Sequence, residues 1–111
     1  MNAMKNSVQL IGHVGNDPEI KTLESGKKLV NLSIATNETY YNDKGEKITD
    51  TQWHRVTAWG KTAEIIEKYV TKGKEIGVVG RLSYRSYEDK NGNKQYTTEI
   101  TVSEMQMFGK N

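Results

Sequence analysis

Between residues 53 and 87 the sequence interleaves flat rings with cations: Trp53, Arg55 and Trp59, then Tyr69, then Arg81, Tyr84, Arg85 and Tyr87. An indole or phenol ring offers an apolar face for a planar ligand, and a guanidinium beside it offers paired donors to an anion. Together they suit a polyanion with stackable bases, because cations follow the phosphates while rings take the bases. Spacing matters as much as type. Read as an extended strand, Thr51 to Gly60 alternates, so that Trp53, Arg55, Thr57 and Trp59 share one side and His54, Val56 and Ala58 the other. Two indoles and a guanidinium then lie on one surface.

Charge is distributed to match. The chain has 111 residues and a formal net charge of +2, from 16 Lys and Arg against 14 Asp and Glu. Residues 1–52 carry a net −1, residues 53–87 a net +4 and residues 88–111 a net −1. The basic excess coincides with the segment that holds both tryptophans. Lys5, Arg55, Lys61, Lys72, Lys74, Arg81 and Arg85 are the candidates for tracking phosphates. Lys72 and Lys74 also fit a reading as solvated charges near a helix end.

The length fits one domain, residues 1–111 with a core over about 5–108. With 34% apolar residues the core is modest, so association with other copies is a source of further burial. The absence of cysteine excludes disulfide scaffolds, thiolate nucleophiles and cysteine-ligated zinc. No apolar run is long enough for a membrane span, and the first residues lack a charged segment followed by an apolar one. A cytosolic protein without a membrane partner is expected. His13 and His54 are far apart with no third ligand indicated, so neither a metal nor another cofactor is expected. Gly12 and Gly15 sit inside a strand pattern with no following Gly-Lys-Ser/Thr; they mark a bend or a close approach rather than a phosphate loop. Acidic residues are scattered, which argues against a carboxylate-metal nuclease.

The elements that must position these residues follow from periodicity. Val8 to Val14 alternates as a first strand, Pro18 marks a bend or edge, and Glu24-Ser25-Gly26-Lys27 is a turn into a second strand over Val30, Leu32 and Ile34. These two strands are expected to form a hairpin. Residues 40–50 are polar around Gly45 and predict a long hairpin loop into the third strand, Thr51 to Gly60. Lys61 to Lys72 shifts to helical spacing through Ala63, Ile66 and Val70, with Thr62 as N-cap and Gly73 at C′. From Glu75 the strand period returns, with Val78, Gly80, Leu82 and Tyr84 opposite Val79, Arg81, Ser83, Arg85 and Tyr87. Asp89-Lys90-Asn91-Gly92-Asn93 is a hairpin turn, and Tyr96, Thr98, Ile100 and Val102 alternate in a last strand ending near Phe108. The predicted class is all-β: a five-stranded Greek-key barrel of the OB type, with one short helix between strands 3 and 4. A partly open sandwich carrying the same helix is the alternative.

With these elements placed, the chain resembles the bacterial single-stranded DNA-binding protein family across nearly all of residues 5–108. The resemblance is carried by Gly12-His13-Val14-Gly15-Asn16-Asp17-Pro18-Glu19, Ala35-Thr36-Asn37-Glu38-Thr39-Tyr40, Trp53-His54-Arg55-Val56 with Trp59-Gly60-Lys61, Gly80-Arg81-Leu82, and Tyr96-Thr97-Thr98-Glu99-Ile100. It implies an OB-fold homotetramer of the bacterial cytoplasm, associated with the nucleoid. Such a protein wraps single-stranded DNA with little sequence preference, serves replication, recombination and repair, and has no catalytic activity. It maps the stacking aromatics onto Tyr40, Trp53, Trp59 and Tyr87, and a subunit-interface histidine onto His54.

Other readings stay open beside it. Trp53 and Trp59 could belong to the core, Tyr41 could stack in place of Tyr40, Tyr87 could pack on the neighbouring strand, and His54 could be satisfied within one subunit. The whole domain could serve as a primosome-type adaptor acting through protein contacts. Three departures from the family pattern stand out. Tyr40 and Tyr87 replace the usual tryptophans, Ser83 and Ser86 replace basic residues, and Phe108-Gly109-Lys110-Asn111 is followed by no linker or acidic tail. The last fits either a chain cut short or a naturally short member, and it leaves recruitment of replication and repair partners open.

Overall fold

The chain forms strands β1 (Val8–Val14), β2 (Glu19–Thr22), β3 (Lys28–Tyr41) and β4 (Lys47–Trp59), helix α1 (Gly60–Tyr69), and strands β5 (Glu75–Glu88) and β6 (Lys94–Met107). They are described by a computed structural model covering residues 3–109. Lys110 and Asn111, where the sequence-based domain ends, lie outside those residues. Period-two alternation sets the barrel wall: β1 turns Gly12 and Val14 inward and Gln9, Ile11 and His13 outward. Val30 and Ile34 of β3, Val56 of β4, and Ile76 and Val78 of β5 are fully buried, as is Ile66 of α1. Each such aliphatic contributes roughly 1.5–3 kcal/mol of transfer free energy.

The strand order is β1-β5-β6-β4-β3-β2, and β1 also pairs with β3, which closes β1, β5, β6, β4 and β3 into a ring. The expected five-stranded barrel with a helix between its third and fourth strands is therefore the fold. Closure runs through His13↔Ala35 and Val14↔Ile34. Gly12 makes that approach possible, because a Cβ there would overlap the Ala35 carbonyl. Helix α1 inserts Ala63 and Ile66 into the core.

Three expectations about boundaries are corrected. The turn at residues 24–27 does not join the first two barrel strands directly. It joins the additional strand β2 to β3, through Glu19↔Asn31 to Thr22↔Lys28, and Pro18 precedes β2. The loop predicted over 40–50 shrinks to residues 42–46, because β3 and β4 stay paired out to Tyr41↔Lys47. Helix α1 begins at Gly60 and ends at Tyr69, with Trp59 at the N-cap position and no side-chain cap; Thr62 thus lies inside the first turn. Its end is drawn early by barrel contacts: the Gly73 amide donates to the Val14 carbonyl at 2.7 Å, and the Val14 amide to the Lys74 carbonyl at 3.0 Å.

Residues 37–52 and 84–98 continue their hairpins beyond the barrel as exposed two-stranded arms. Because β4 and β6 run parallel, both tips point the same way. The arms explain a radius of gyration of 16.2 Å, against about 13 Å for a compact 100-residue domain.

Candidate nucleic-acid interface

The parallel pairing of β4 with β6 joins what the sequence shows as separate surfaces. Val56 lies beside Ile100 on the inside and Thr57 beside Thr101 on the outside. Trp53, Arg55 and Thr57 are therefore continuous with Thr97, Glu99 and Thr101 on the barrel exterior. Across the β5–β6 ladder those residues face Arg81, Ser83, Arg85 and Tyr87, through Arg81↔Thr101, Ser83↔Glu99, Arg85↔Thr97 and Tyr87↔Gln95. One side-chain contact crosses the β4–β6 seam, and a second lies beside it within the β5–β6 hairpin. Arg55 Nη1 donates to Thr97 Oγ1 at 3.3 Å, and Arg85 Nη2 donates to Glu99 Oε2 at 3.0 Å. A cavity of about 600 Å³ opens there, lined by Trp53, Arg55, Arg85 and Glu99 together with Asn16, Glu19 and Ser33.

Neither indole belongs to the core: Trp53 is 62% exposed and Trp59 38%. Trp53 lies over Gly15, where a Cβ would overlap its six-membered ring. The segment beneath is pinned by Asn16, whose Oδ1 accepts from the Ser33 amide at 2.9 Å and the Ser33 hydroxyl at 2.8 Å. Trp59 stands opposite Leu29 in the β3–β4 register, and Lys27 Nζ lies 5.9 Å from its ring centroid. Lys27 is a cation that the sequence pattern did not single out; its only signal is its place in the turn before β3.

The tyrosines divide by register. Tyr87 is exposed on the Arg85 side of its arm. In the β3–β4 arm Ala35↔Trp53 and Tyr41↔Lys47 fall on one face, whereas Ile34↔His54 and Tyr40↔Ile48 fall on the other. Tyr41 therefore shares the Trp53 side, and Tyr40 the opposite side. Tyr84 and Tyr96, both exposed, occupy the β5–β6 face turned away from Arg85.

The predicted cations also separate. Arg55, Arg81 and Arg85 share the exterior surface around Trp53. Lys5 is held elsewhere: its neighbour Asn6 accepts from the Leu82 amide at 2.9 Å and donates to the Leu82 carbonyl at 3.1 Å, on the β5 edge. Lys61 is exposed in the first turn of α1. Lys72 and Lys74 lie in the α1–β5 connection, away from the arm tips, where Asp17 Oδ1 accepts from the Lys72 amide at 3.0 Å. His54 is half-buried, with Nε2 2.8 Å from Thr36 Oγ1. No group of His, Cys, Asp and Glu suited to a metal occurs among the described residues, and none of their helices is long and apolar enough to cross a membrane.

Glu99 and Gly15 are the consequential residues around Trp53 for which sequence alone indicates no partner. Glu99 appears there only within a motif, and Gly15 only as a close approach of unknown neighbour.

Comparison with known proteins places this geometry. The single-strand binding protein family matches residues 5–108. The chain is 47% identical over 105 residues to single-stranded DNA-binding protein 1 of Chlorobaculum tepidum, covering 94% of this chain and 65% of that protein. It is 47% identical over 109 residues to single-stranded DNA-binding protein 1 of Xylella fastidiosa, covering 97% and 80%. Among solved structures, the Plasmodium falciparum SSB in complex with ssDNA superimposes with a TM-score of 0.87 at 33% identity, over 94% of this chain and 95% of that one. A deletion mutant of the Thermus aquaticus single-stranded DNA binding protein gives 0.81 at 26% identity, over 94% and 50%.

Proposed function

Because this chain belongs to the single-strand binding protein family, we propose that it binds and protects single-stranded DNA, with little sequence preference and no catalysis, in replication, recombination and repair. The observation that carries the reading is the continuous exterior surface on which Trp53 and Arg55 meet Arg81, Arg85 and Tyr87 across the β4–β6 seam. Exposed rings accept any base by stacking, for about 1–3 kcal/mol each, and the guanidinium groups neutralise phosphates. Such a surface reads shape and charge rather than base identity. Trp53, Trp59 and Tyr87 are assigned the stacking roles, with Tyr40 or Tyr41 completing the set on the β3–β4 arm. Arg55, Arg81 and Arg85 take the central phosphates, while Lys5, Lys61, Lys72 and Lys74 serve a strand that continues around the protein.

We further assign a homotetramer in the bacterial cytoplasm. A groove over β1, β5 and β6, where Ile11, Val79 and Phe108 lie beside the polar Gln9, Glu104 and Gln106, supports self-association by offering apolar surface with a polar border. His54 is assigned to the subunit interface, its Thr36 contact fixing the ring. A monomer mass by light scattering at micromolar concentration in moderate salt would contradict this assembly.

Titration of the intrinsic tryptophan fluorescence with oligo(dT) tests the DNA reading. Quenching is expected, with affinity falling as salt rises; replacing Arg55 or Arg81 by Ala should flatten the log–log salt slope by about 0.7 for each phosphate no longer neutralised. A folded protein showing neither quenching nor salt-sensitive binding overturns the assignment and favours an adaptor acting through protein contacts.

A further inference from the structure

Glu99 is the one charged side chain fully buried among the described residues, at 5% exposure. It bears the wrong sign for a surface that meets phosphate. It lines the same cavity as Trp53 and Arg55, and its Oε2 accepts from Arg85 Nη2 at 3.0 Å. Arg85 itself is largely open to solvent, with 60% of its side chain exposed. A guanidinium carries five N–H donors, of which the carboxylate engages one through a single nitrogen.

We propose that Glu99 is a positioning residue for DNA binding: its buried carboxylate docks Arg85 against the barrel, so that the remaining donors stand ready for a phosphate beside Trp53. This rests on the single-stranded DNA reading above. A buried carboxylate stripped of its partner is costly, so Arg85 stays docked when DNA arrives instead of exchanging one anion for the other. The long side chain is ordered in advance, and binding then loses less rotamer freedom.

The sign of the effect separates this role from plain electrostatics. If Glu99 acted only through its charge, removing it would strengthen DNA binding. Positioning requires the opposite.

The test is a double-mutant cycle of Glu99→Ala and Arg85→Ala, read by oligo(dT) titration across a salt series, with thermal unfolding as the check on folding. Glu99→Ala is expected to weaken binding about tenfold, the scale of one charge-assisted hydrogen bond. It should flatten the salt slope by about 0.7, as Arg85→Ala does, and the double variant should bind no worse than Arg85→Ala alone. Glu99→Gln should fall between Glu99→Ala and the parent chain, and should have no effect once Arg85 is gone. That variant carries the test if Glu99→Ala does not fold. Binding by Glu99→Ala or Glu99→Gln as tight as the parent, or losses that add in full to that of Arg85→Ala, overturn the proposal. Trp53→Ala separates the two levels. Weakened binding by Trp53→Ala beside unchanged binding by the Glu99 variants removes only the positioning role. Unchanged binding by both Trp53→Ala and Arg85→Ala removes the interface itself.

Discussion

At the tip of the β3–β4 arm, Asn42 Oδ1 accepts from the amides of Lys44 at 3.0 Å and Glu46 at 2.9 Å. At the tip of the β5–β6 arm, Asp89 Oδ1 accepts from the amides of Asn91 and Asn93, both at 2.9 Å. Each turn then places a glycine in the left-handed region, Gly45 at φ 78° and Gly92 at φ 79°. The two hairpins thus close by the same five-residue device, yet they carry opposite charge. Residues 37–52 hold Glu38, Asp43, Glu46 and Asp50 against Lys44 and Lys47, a net −2; residues 84–98 hold Arg85, Lys90 and Lys94 against Glu88 and Asp89, a net +1. Turn geometry and ligand chemistry are therefore set by different residues. The β3–β4 arm leads down to Trp53 and supplies ring surface, while β5, running from the barrel into the other arm, supplies the guanidinium groups of Arg81 and Arg85 that meet it.

The sharpest way to break this division is to disturb the ring without touching its arm. Gly15→Ala puts a methyl group where the Trp53 ring lies. The ring is 62% exposed and has solvent to move into. The variant should fold and lose affinity for oligo(dT) by nearly as much as Trp53→Ala, within the stacking range of about 1–3 kcal/mol. A Gly15→Ala protein with full affinity and an unchanged tryptophan spectrum would show that the ring's seat does not matter.

Register offers a smaller and finer contrast within the β3–β4 arm. Since Tyr41 shares the Trp53 face and Tyr40 does not, Tyr41→Ser should weaken binding by about 1 kcal/mol, the lower end of the stacking range, and Tyr40→Ser by less. Reversal of that order in fluorescence titrations would mean that DNA crosses to the other side of the arm, and it would restore Tyr40 as the stacking residue.

How far the sequence reaches is clear from these residues. Alternation over 53–59 is local, so the shared face of Trp53, Arg55 and Trp59 is legible at once, as is the helix through Ala63 and Ile66. The pairing of Val56 with Ile100 spans a helix and a hairpin, and no local pattern encodes it. The fusion of the two surfaces and the Arg55 contact with Thr97 both depend on that pairing, whereas the Arg85 contact with Glu99 lies within the β5–β6 hairpin. The β3–β4 arm escapes notice for a different reason. Residues 37–50 are polar on both faces because both faces meet water, so the two-residue hydrophobic period that reveals a strand is missing. The end of α1 is hidden because Val14, far away in sequence, competes for the backbone of Gly73 and Lys74.

The smallest effect tests the difference between the residues that head the two turns, which is that Asp89 can titrate and Asn42 cannot. The Asn93 amide chiefly holds the Asp89 carboxyl below its ordinary value of 3.8; partial loss of water opposes this, and the Asn91 amide and Gln95 side chain add to it. For a carboxyl lowered in the folded chain, the stabilisation is present above the ordinary value and lost as pH falls through the lowered one. The β5–β6 turn should therefore persist through the usual carboxylate range and loosen only in stronger acid. An NMR titration would show the Asn91 and Asn93 amide resonances moving together with a midpoint below 3.8. Asp89→Asn, which gives this turn the same head residue as its counterpart, should abolish that transition while keeping the hairpin, and with it the affinity for oligo(dT). Loss of the hairpin in Asp89→Asn would mean that the two turns are not equivalent, and that the charge of Asp89, rather than the shape of its side chain, closes the β5–β6 arm.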